Sequence, residues 1–242
     1  MSRLNNPREA VDWRRFSDPA AMARQVADDV QSIIGSAIES RGSALIALPG
    51  GATPGPIFDE LAGRGINWPL VTVLPTDDRL VPIGDPLSNA GLIRAHFGGT
   101  GARLLSLFDG RGGADAAGRS ADRMLRTLRW PMDLVWLGMG EDGHTASILP
   151  GPDFDSALNG LTGRRACGVT PDPLPAEAPV ARVTLTRGAL VATRSLMVTI
   201  TGEKKRAVAE QAIKDGPSSS LAIGRVLASA RVPVEIYWSL GR

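Results

Sequence analysis

Two hydrophobic patterns alternate along the chain. Longer segments carry apolar residues every three or four positions, as expected for helices packed on one face, and between them lie short continuous apolar runs. Helices are predicted at residues 19–40, from residue 54 onward, and at 88–97, 114–129, 203–214 and 221–230. Extended segments are predicted at residues 43–48, 70–74, 133–137, 180–185, 196–200 and 234–238.

Continuous apolar strands separated by helices are typical of a parallel sheet that is covered on both faces. The chain is therefore predicted to have an α/β fold. No stretch has the length or polarity of a linker, so we expect one domain over residues 1–242. Residues 151–163 and 171–179 are rich in proline and glycine and are predicted to be loops of that domain.

Composition narrows the classes of function. The net charge of +2 is small, the basic residues are scattered and only 5% of residues are aromatic, which argues against a nucleic-acid partner. With one cysteine, an intramolecular disulfide is impossible, and with only two histidines a dedicated zinc site is not expected. Residues 1–15 carry no apolar run and no segment has the roughly 20 apolar residues of a membrane helix, so a cytoplasmic protein is expected.

The first candidate site is the turn that follows the strand at residues 43–48. Gly50 and Gly51 permit positive φ and close backbone approach, and the next helix would offer free N–H groups, with Thr53 as its N-cap and Pro54 as its first residue. Such a turn can cradle a phosphate group. An ordinary strand-to-helix turn capped by Thr53 explains the same residues about equally well.

The second candidate site follows the strand at residues 70–74. Asp77 and Asp78 stand beside Arg79, whose guanidinium suits a phosphate or a carboxylate. Such a cluster is usually a surface turn. In open parallel sheets, however, ligands bind outside the carboxyl ends of the strands, and this position favours a functional interpretation.

The third candidate site is a glycine-rich bend after the strand at residues 133–137. It contains His144, with Asp142 two residues earlier. A lone histidine is more often structural, but one in such a bend can accept a proton from water. The other histidine, His96, is predicted at a helix end, where a structural role explains it better.

Together, and in this order, these segments resemble the 6-phosphogluconolactonase family. The most specific stretch is residues 138–147, Gly-Met-Gly-Glu-Asp-Gly-His-Thr-Ala-Ser, and residues 77–79 resemble the family's Asp-Glu-Arg with Asp78 in place of glutamate. Ser88 with Asn89, residues 182–186 and residues 201–205 are similar to its Ser-Asn, Arg-Ile-Thr-x-Thr and Gly-x-x-Lys segments. Ala52 departs from the pattern, because a serine is common there.

The resemblance implies a three-layer α/β/α sandwich with a mostly parallel, Rossmann-like sheet, and hydrolysis of 6-phosphoglucono-1,5-lactone without metal or other cofactor. His144 would be the general base, oriented by Asp77 or Asp142, and backbone N–H groups of residues 138–143 would be candidates to stabilise the oxyanion. The implied substrate-binding residues are Gly50, Gly51, Thr53, Arg79, Asn89, Arg182 and Lys205. The expected partner is a small phosphorylated sugar lactone, and the expected state is a monomer or weak homodimer.

Two other functions remain open at this point. A glucosamine-6-phosphate deaminase is similar in the glycine turn and in the Asp-Gly-His segment, but it would carry a carboxylate where Leu149 stands and a tyrosine in place of Arg79. A sugar-phosphate-sensing domain of a transcriptional regulator would need a DNA-binding module. Roughly 40 residues precede the first predicted strand, and they are predicted to hold a single helix.

Overall fold

A central sheet of seven parallel strands organises the computed structural model, which describes residues 11–160 and 163–241. The strand order is β1-β10-β9-β6-β2-β3-β5. A second, antiparallel sheet has the order β4-β8-β7. The strands are β1 (Val11–Phe16), β2 (Ala44–Leu48), β3 (Val71–Pro75), β4 (Asp77–Arg79), β5 (Arg103–Leu104), β6 (Leu134–Leu137), β7 (Ala166–Val169), β8 (Arg182–Leu185), β9 (Leu196–Thr201) and β10 (Val234–Ser239).

Helices cover both faces of the large sheet. They are α1 (Pro19–Arg41), α2 (Gly55–Ala62), α3 (Asn89–Phe97), α4 (Ala114–Arg126), α5 (Phe154–Asn159), α6 (Arg187–Leu190), α7 (Glu203–Asp215) and α8 (Ala222–Ala228). One apolar core lies between the sheet and α1, α2 and α3, and the other contains residues of α4, α7, α8 and the small sheet. The predicted three-layer α/β/α arrangement is confirmed. None of the helices in the described residues has the length and apolar character to cross a membrane.

Helix α1 begins and ends where local chemistry dictates. Asp18 is its N-cap and accepts a hydrogen bond from the N–H of Ala21, while Pro19 occupies the first turn, where its missing N–H costs nothing. Gly42 ends the helix in the left-handed conformation (φ 78°) and donates to the carbonyl of Ile38. These signals explain why the predicted helix at residues 19–40 agrees closely with the structure.

The small sheet corrects the prediction of a turn at residues 77–79. Asp77, Asp78 and Arg79 form β4, which pairs antiparallel with β8 so that Asp78 faces Val183 and Arg79 faces Arg182. Partners more than a hundred residues apart supply this pairing, which no local pattern in the sequence reveals.

Two further features, one strand and one helix, differ from the sequence prediction. Strand β1 lies before α1 and extends the large sheet by parallel pairing with β10, although residues 11–16 do not form an apolar run. Residues 154–159 of the predicted loop at 151–163 form the short helix α5, and residues 161–162 of that loop lie outside the described residues. The prediction that residues 1–15 carry no apolar leader falls partly on residues 1–10, which also lie outside the described residues.

Thr53 is not the N-cap of α2. The cap position belongs to Pro54, whose carbonyl accepts the N–H of Phe58, and no side chain caps this helix. The helix begins at Gly55 with Pro56 in its first turn. Because α2 does not use the hydroxyl of Thr53, that group stays available to the surface after β2.

Helix α4 packs against β7 at a distance that only glycine allows. A Cβ added at Gly118 would lie 2.2 Å from the backbone nitrogen of Gly168. We expect Gly118→Ala to lower the free energy of unfolding by about 2–3 kcal/mol, because the helix must move away from the strand. Urea unfolding followed by circular dichroism measures this.

The matched control is Gly35→Ala in α1, where an added Cβ meets no atom within 4 Å. Alanine there should raise the free energy of unfolding by about 0.5–1 kcal/mol, since it restricts the unfolded chain and favours helix. Equal effects at the two positions would contradict the close-packing explanation.

Candidate active site

A cleft of about 180 Å³ opens at the carboxyl ends of the central parallel strands. Its walls come from the turns after β2 and β6, from β4 and β8 of the small sheet, and from β9 and the first turn of α7. Nine of the ten residues predicted from the sequence line it: Gly50, Gly51, Thr53, Asp77, Arg79, Asn89, His144, Arg182 and Lys205. The tenth, Asp142, reaches the cleft through its contact with His144.

His144 and Asp142 form a hydrogen-bonded pair within a single turn. The Nδ1 atom of His144 lies 2.6 Å from Oδ1 of Asp142, and the same oxygen accepts the backbone N–H of His144 at 3.2 Å. A carboxylate partner assigns the hydrogen to Nδ1 and leaves the lone pair on Nε2. The hydrogen bond from His144 lowers the pKa of Asp142 and so keeps it ionised.

The glycines of this turn make room for the pair. A Cβ on Gly140 would lie 2.3 Å from Nδ1 of His144 and 2.4 Å from Oδ1 of Asp142, so the ring and the carboxylate rest on bare backbone. The N–H of Gly140 donates to the carbonyl of His144, and the N–H of Gly143 donates to the carbonyl of Gly140. These two N–H groups are therefore engaged within the turn, which removes them from the predicted oxyanion donors.

Three cationic side chains line the cleft: Arg79, Arg182 and Lys205. Arg79 donates to the carbonyl of Leu87 at 2.8 Å, and Arg182 donates to the carbonyl of Ala178 at 3.4 Å. The Nε atoms of both arginines are buried and have no hydrogen-bond partner. Burial, and then the charge of Arg79, lower the pKa of Arg182. Two neighbouring guanidinium groups with unused donors create a strong demand for an anion.

Asp77 also lines the cleft, but its hydrogen bonds are to residues other than His144. Its carboxylate accepts a hydrogen bond from the hydroxyl of Ser147, and its backbone carbonyl accepts the side-chain amide of Asn89 at 2.8 Å. The sequence did not decide whether Asp77 or Asp142 orients His144. In the structure, Asp142 is the carboxylate hydrogen-bonded to His144. Asp77 lies near the arginines, where its negative charge favours the protonated form of Arg182.

Asp78 lies behind the cleft and ties β4 to α3. Its buried carboxylate accepts the N–H groups of Asn89 at 2.7 Å, Ala90 at 3.1 Å and Arg79 at 2.9 Å. Burial raises the pKa of Asp78 to about 6, although these donors oppose the shift. Asp78 thus fixes the backbone at two residues whose side chains line the cleft, Arg79 and Asn89.

Two functional candidates were missed by reasoning from the sequence. Ser147 is fully buried and reaches Asp77, while Thr199 lies on the cleft floor in the middle of β9. Ser147 belongs to the most specific motif, residues 138–147, and its place there could have identified it as a site residue. Thr199 offered none, because a threonine in an apolar strand is common. No group of three or more His, Cys, Asp or Glu side chains placed to hold a metal ion occurs within residues 11–160 and 163–241.

Fold and site together define a doubly wound α/β protein whose cleft combines a histidine–carboxylate pair with three cationic side chains. Residues 17–238 match the family model described as glucosamine-6-phosphate isomerases/6-phosphogluconolactonase. The chain belongs to this family.

Individual proteins agree with that assignment. A 6-phosphogluconolactonase of Mesorhizobium japonicum is 36% identical over 95% of this chain and 96% of its own length. The crystal structure of a 6-phosphogluconolactonase from Shewanella baltica has a TM-score of 0.87 and 31% identity, covering 95% of this chain and 97% of that one. A monomeric glucosamine-6-phosphate deaminase is similar in fold alone, with a TM-score of 0.75 and 16% identity over 94% of this chain and 97% of that one.

The contact between Gly140 and the histidine–carboxylate pair predicts a catalytic defect in Gly140→Ala. The new methyl group would displace the imidazole, and misplacement by about 1 Å can cost about 10²-fold in turnover. Steady-state kinetics should show a fall in kcat with KM changed by less than about threefold, since the cationic residues are untouched. The loss should not add to that of His144→Gln, and an additive loss would contradict this account.

The burial of Asp78 predicts a dependence of stability on pH. Its pKa is raised from 3.8 to about 6, so the folded protein binds this proton more tightly than the unfolded chain does. The proton on Asp78 therefore adds up to about 3 kcal/mol to the free energy of unfolding below about pH 4. This stabilisation is lost as the pH rises through about 6. Asp78→Asn should lack this dependence in urea unfolding between about pH 4 and 7. Parallel curves for both proteins would contradict the assignment.

Proposed function

We propose that this protein hydrolyses 6-phosphoglucono-1,5-lactone to 6-phosphogluconate, as a cytoplasmic enzyme of a single domain. The observation that carries the proposal is the position of His144: its Nδ1 is bound to Asp142, and its ring lines the same cleft as Arg79, Arg182 and Lys205. A base at one part of the cleft and cations at another suit a substrate with a hydrolysable bond and a phosphate group. Family membership and the near full-length similarity to 6-phosphogluconolactonases support this choice.

In the proposed reaction, Nε2 of His144 takes a proton from water as the water oxygen attacks the lactone carbonyl. A δ-lactone is an activated ester, so no covalent nucleophile is required. The tetrahedral intermediate collapses with cleavage of the bond from C1 to the ring oxygen, and the imidazolium returns the proton to that oxygen as it leaves as the C5 hydroxyl. Asp142 stabilises the imidazolium while it carries the proton.

The phosphate group is proposed to lie between Arg79, Lys205 and the turn formed by Gly50, Gly51 and Thr53. The unpartnered Nε atom of Arg79 supports this placement, since a phosphate oxygen would satisfy it. Gly51 has φ 93°, a conformation that favours glycine and turns the backbone after β2. Arg182 is buried and lines the same cleft, and its Nε atom likewise has no partner.

The alternative deaminase activity finds less support in the cleft. Arg79 lines the cleft at the position where the deaminase would carry a tyrosine. Leu149 lies in a separate small pocket with Ser147 and Pro150, so its apolar side chain is a weaker discriminator than the sequence alone indicated. Arg79 is thus the residue within the cleft that separates the two chemistries.

Acid release from 6-phosphoglucono-1,5-lactone tests the proposed activity directly. The purified protein should accelerate it well above the spontaneous rate measured in its absence, in buffer treated with a chelator as well as without. Ammonia release from glucosamine 6-phosphate, measured in parallel, should stay at background. Ammonia production together with no gain in lactone hydrolysis would overturn the proposal.

The proposed base predicts how substitutions divide between turnover and binding. His144→Gln should lower kcat by about 10²–10⁴-fold, the usual value of acid–base assistance, while calorimetry should show affinity for 6-phosphogluconate within about threefold of the parent protein. Asp142→Asn should also lower kcat, because an amide no longer stabilises the imidazolium.

The double variant His144→Gln/Asp142→Asn supplies the control. If Asp142 acts through the imidazole, the double variant should be no slower than His144→Gln. Turnover near the parent value in His144→Gln would rule out the general-base role.

A further inference from the structure

Unused hydrogen-bond donors collect in the cleft. The Nε atoms of Arg79 and Arg182 are buried without partners, and Lys205 adds an ammonium group. The one acidic side chain of the lining, Asp77, already accepts the hydroxyl of Ser147. A cleft with more free donors than acceptors suits a ligand that is rich in acceptors.

Thr199 is such a donor. Its side chain lines the cleft although the residue is only 2% exposed. Its Oγ1 accepts a hydrogen bond of 3.0 Å from Nε1 of Trp136, and among the described residues we find no acceptor for its own hydroxyl hydrogen. A hydroxyl group has one hydrogen to give, and buried polar groups are almost always satisfied. The hydrogen of Thr199 is therefore available to a ligand in the cleft.

Trp136 restricts the direction of that hydrogen. The indole is fully buried and packs edge-on against Phe58, with ring centroids 5.4 Å apart. Because Nε1 occupies one lone-pair direction of the Thr199 oxygen, the hydroxyl hydrogen must take another. A donor that is oriented before binding costs less conformational entropy when the ligand arrives.

In the sheet, only β6 separates the strand of Thr199 from β2, whose following turn is proposed to bind the phosphate. Leu137 pairs with Val198, so the next residues, Gly138 and Thr199, are neighbours across β6 and β9. Both of these residues line the cleft. Along β9, Thr199 and Met197 lie on the same face of the sheet. Met197 packs in the core that contains α1 and α2. The turn at Gly50 leads into α2, which covers that face. Lys205 follows from the end of the same strand.

We propose that Thr199 donates its hydroxyl hydrogen to the phosphate group of the substrate and thereby helps set the affinity for phosphorylated ligands. The inference rests on the proposed function for the nature of the ligand. Ala52, which lines the cleft from the turn after β2, offers no hydroxyl group there. Thr199 supplies one from β9.

The test compares Thr199→Val and Thr199→Ser, which differ in whether the hydroxyl is kept. The affinity for inorganic phosphate and for 6-phosphogluconate is measured by calorimetry, and KM and kcat are measured with the lactone. Thr199→Val should weaken both ligands and raise KM by about tenfold, the value of one hydrogen bond to a charged group, with kcat within about twofold. Thr199→Ser should stay within about threefold of the parent protein.

Two controls separate the proposed contact from loss of structure. Thr201→Val makes the same substitution two residues along β9, at a residue outside the cleft lining, and should leave phosphate affinity unchanged. Thr199→Val also leaves the indole N–H of Trp136 without an acceptor, so Thr199→Ala, which leaves space for water beside that N–H, serves as the second hydroxyl-free variant. Thermal unfolding identifies the variants that are folded.

Three outcomes would overturn the proposal. Phosphate affinity in a folded Thr199→Val or Thr199→Ala protein within twofold of the parent would show that the hydroxyl does not bind phosphate. A raised KM with unchanged affinity for inorganic phosphate would place the contact on the sugar instead. An equal loss in Thr201→Val would indicate a general effect of the strand. Calorimetry with phosphate needs no turnover, so failure of the lactonase assay stays distinguishable from failure here.

Discussion

The site depends on the side-by-side, parallel arrangement of three neighbouring strands, β2, β6 and β9. Their carboxyl ends lie at one edge of the sheet, so the turn at Gly50, the turn that carries His144 and the segment that leads to Lys205 meet there. Parallel strands deliver consecutive turns to the same edge, which is why ligands bind there in such folds. Without this arrangement the residues that follow β2, β6 and β9 would not share one cleft.

The two functional parts of the cleft are assembled in different ways. The histidine–carboxylate pair is local, since His144 and Asp142 stand two residues apart in one turn and rest on Gly140. The cationic part joins distant segments, because Arg79 and Arg182 come together only when β4 pairs with β8. Short-range geometry therefore fixes the histidine–carboxylate pair, whereas long-range strand pairing fixes the two arginines.

Residues with strong local signals were predicted from the sequence, and residues placed by long-range packing were not. Apolar runs and glycine turns located β2, β6 and the turns that follow them, and the helical spacing of apolar residues located α1. The choice between Asp77 and Asp142 stayed open, because spacing in a turn does not fix the direction of a side chain. Strand β4 and the inward position of Thr199 depend on partners far along the chain, which one sequence does not reveal.

Because the cationic side chains come from segments far apart in the sequence, an anion can bind all of them only when the whole chain is folded. An anion that contacts Arg79, Arg182 and Lys205 at once binds only the folded chain, so its binding free energy adds to the stability of the fold by thermodynamic linkage. Separation of the small sheet from the large one would abolish this binding while the local pair on the turn after β6 stayed formed. Ligand concentration and resistance to unfolding are in this way coupled through two guanidinium groups and one ammonium group.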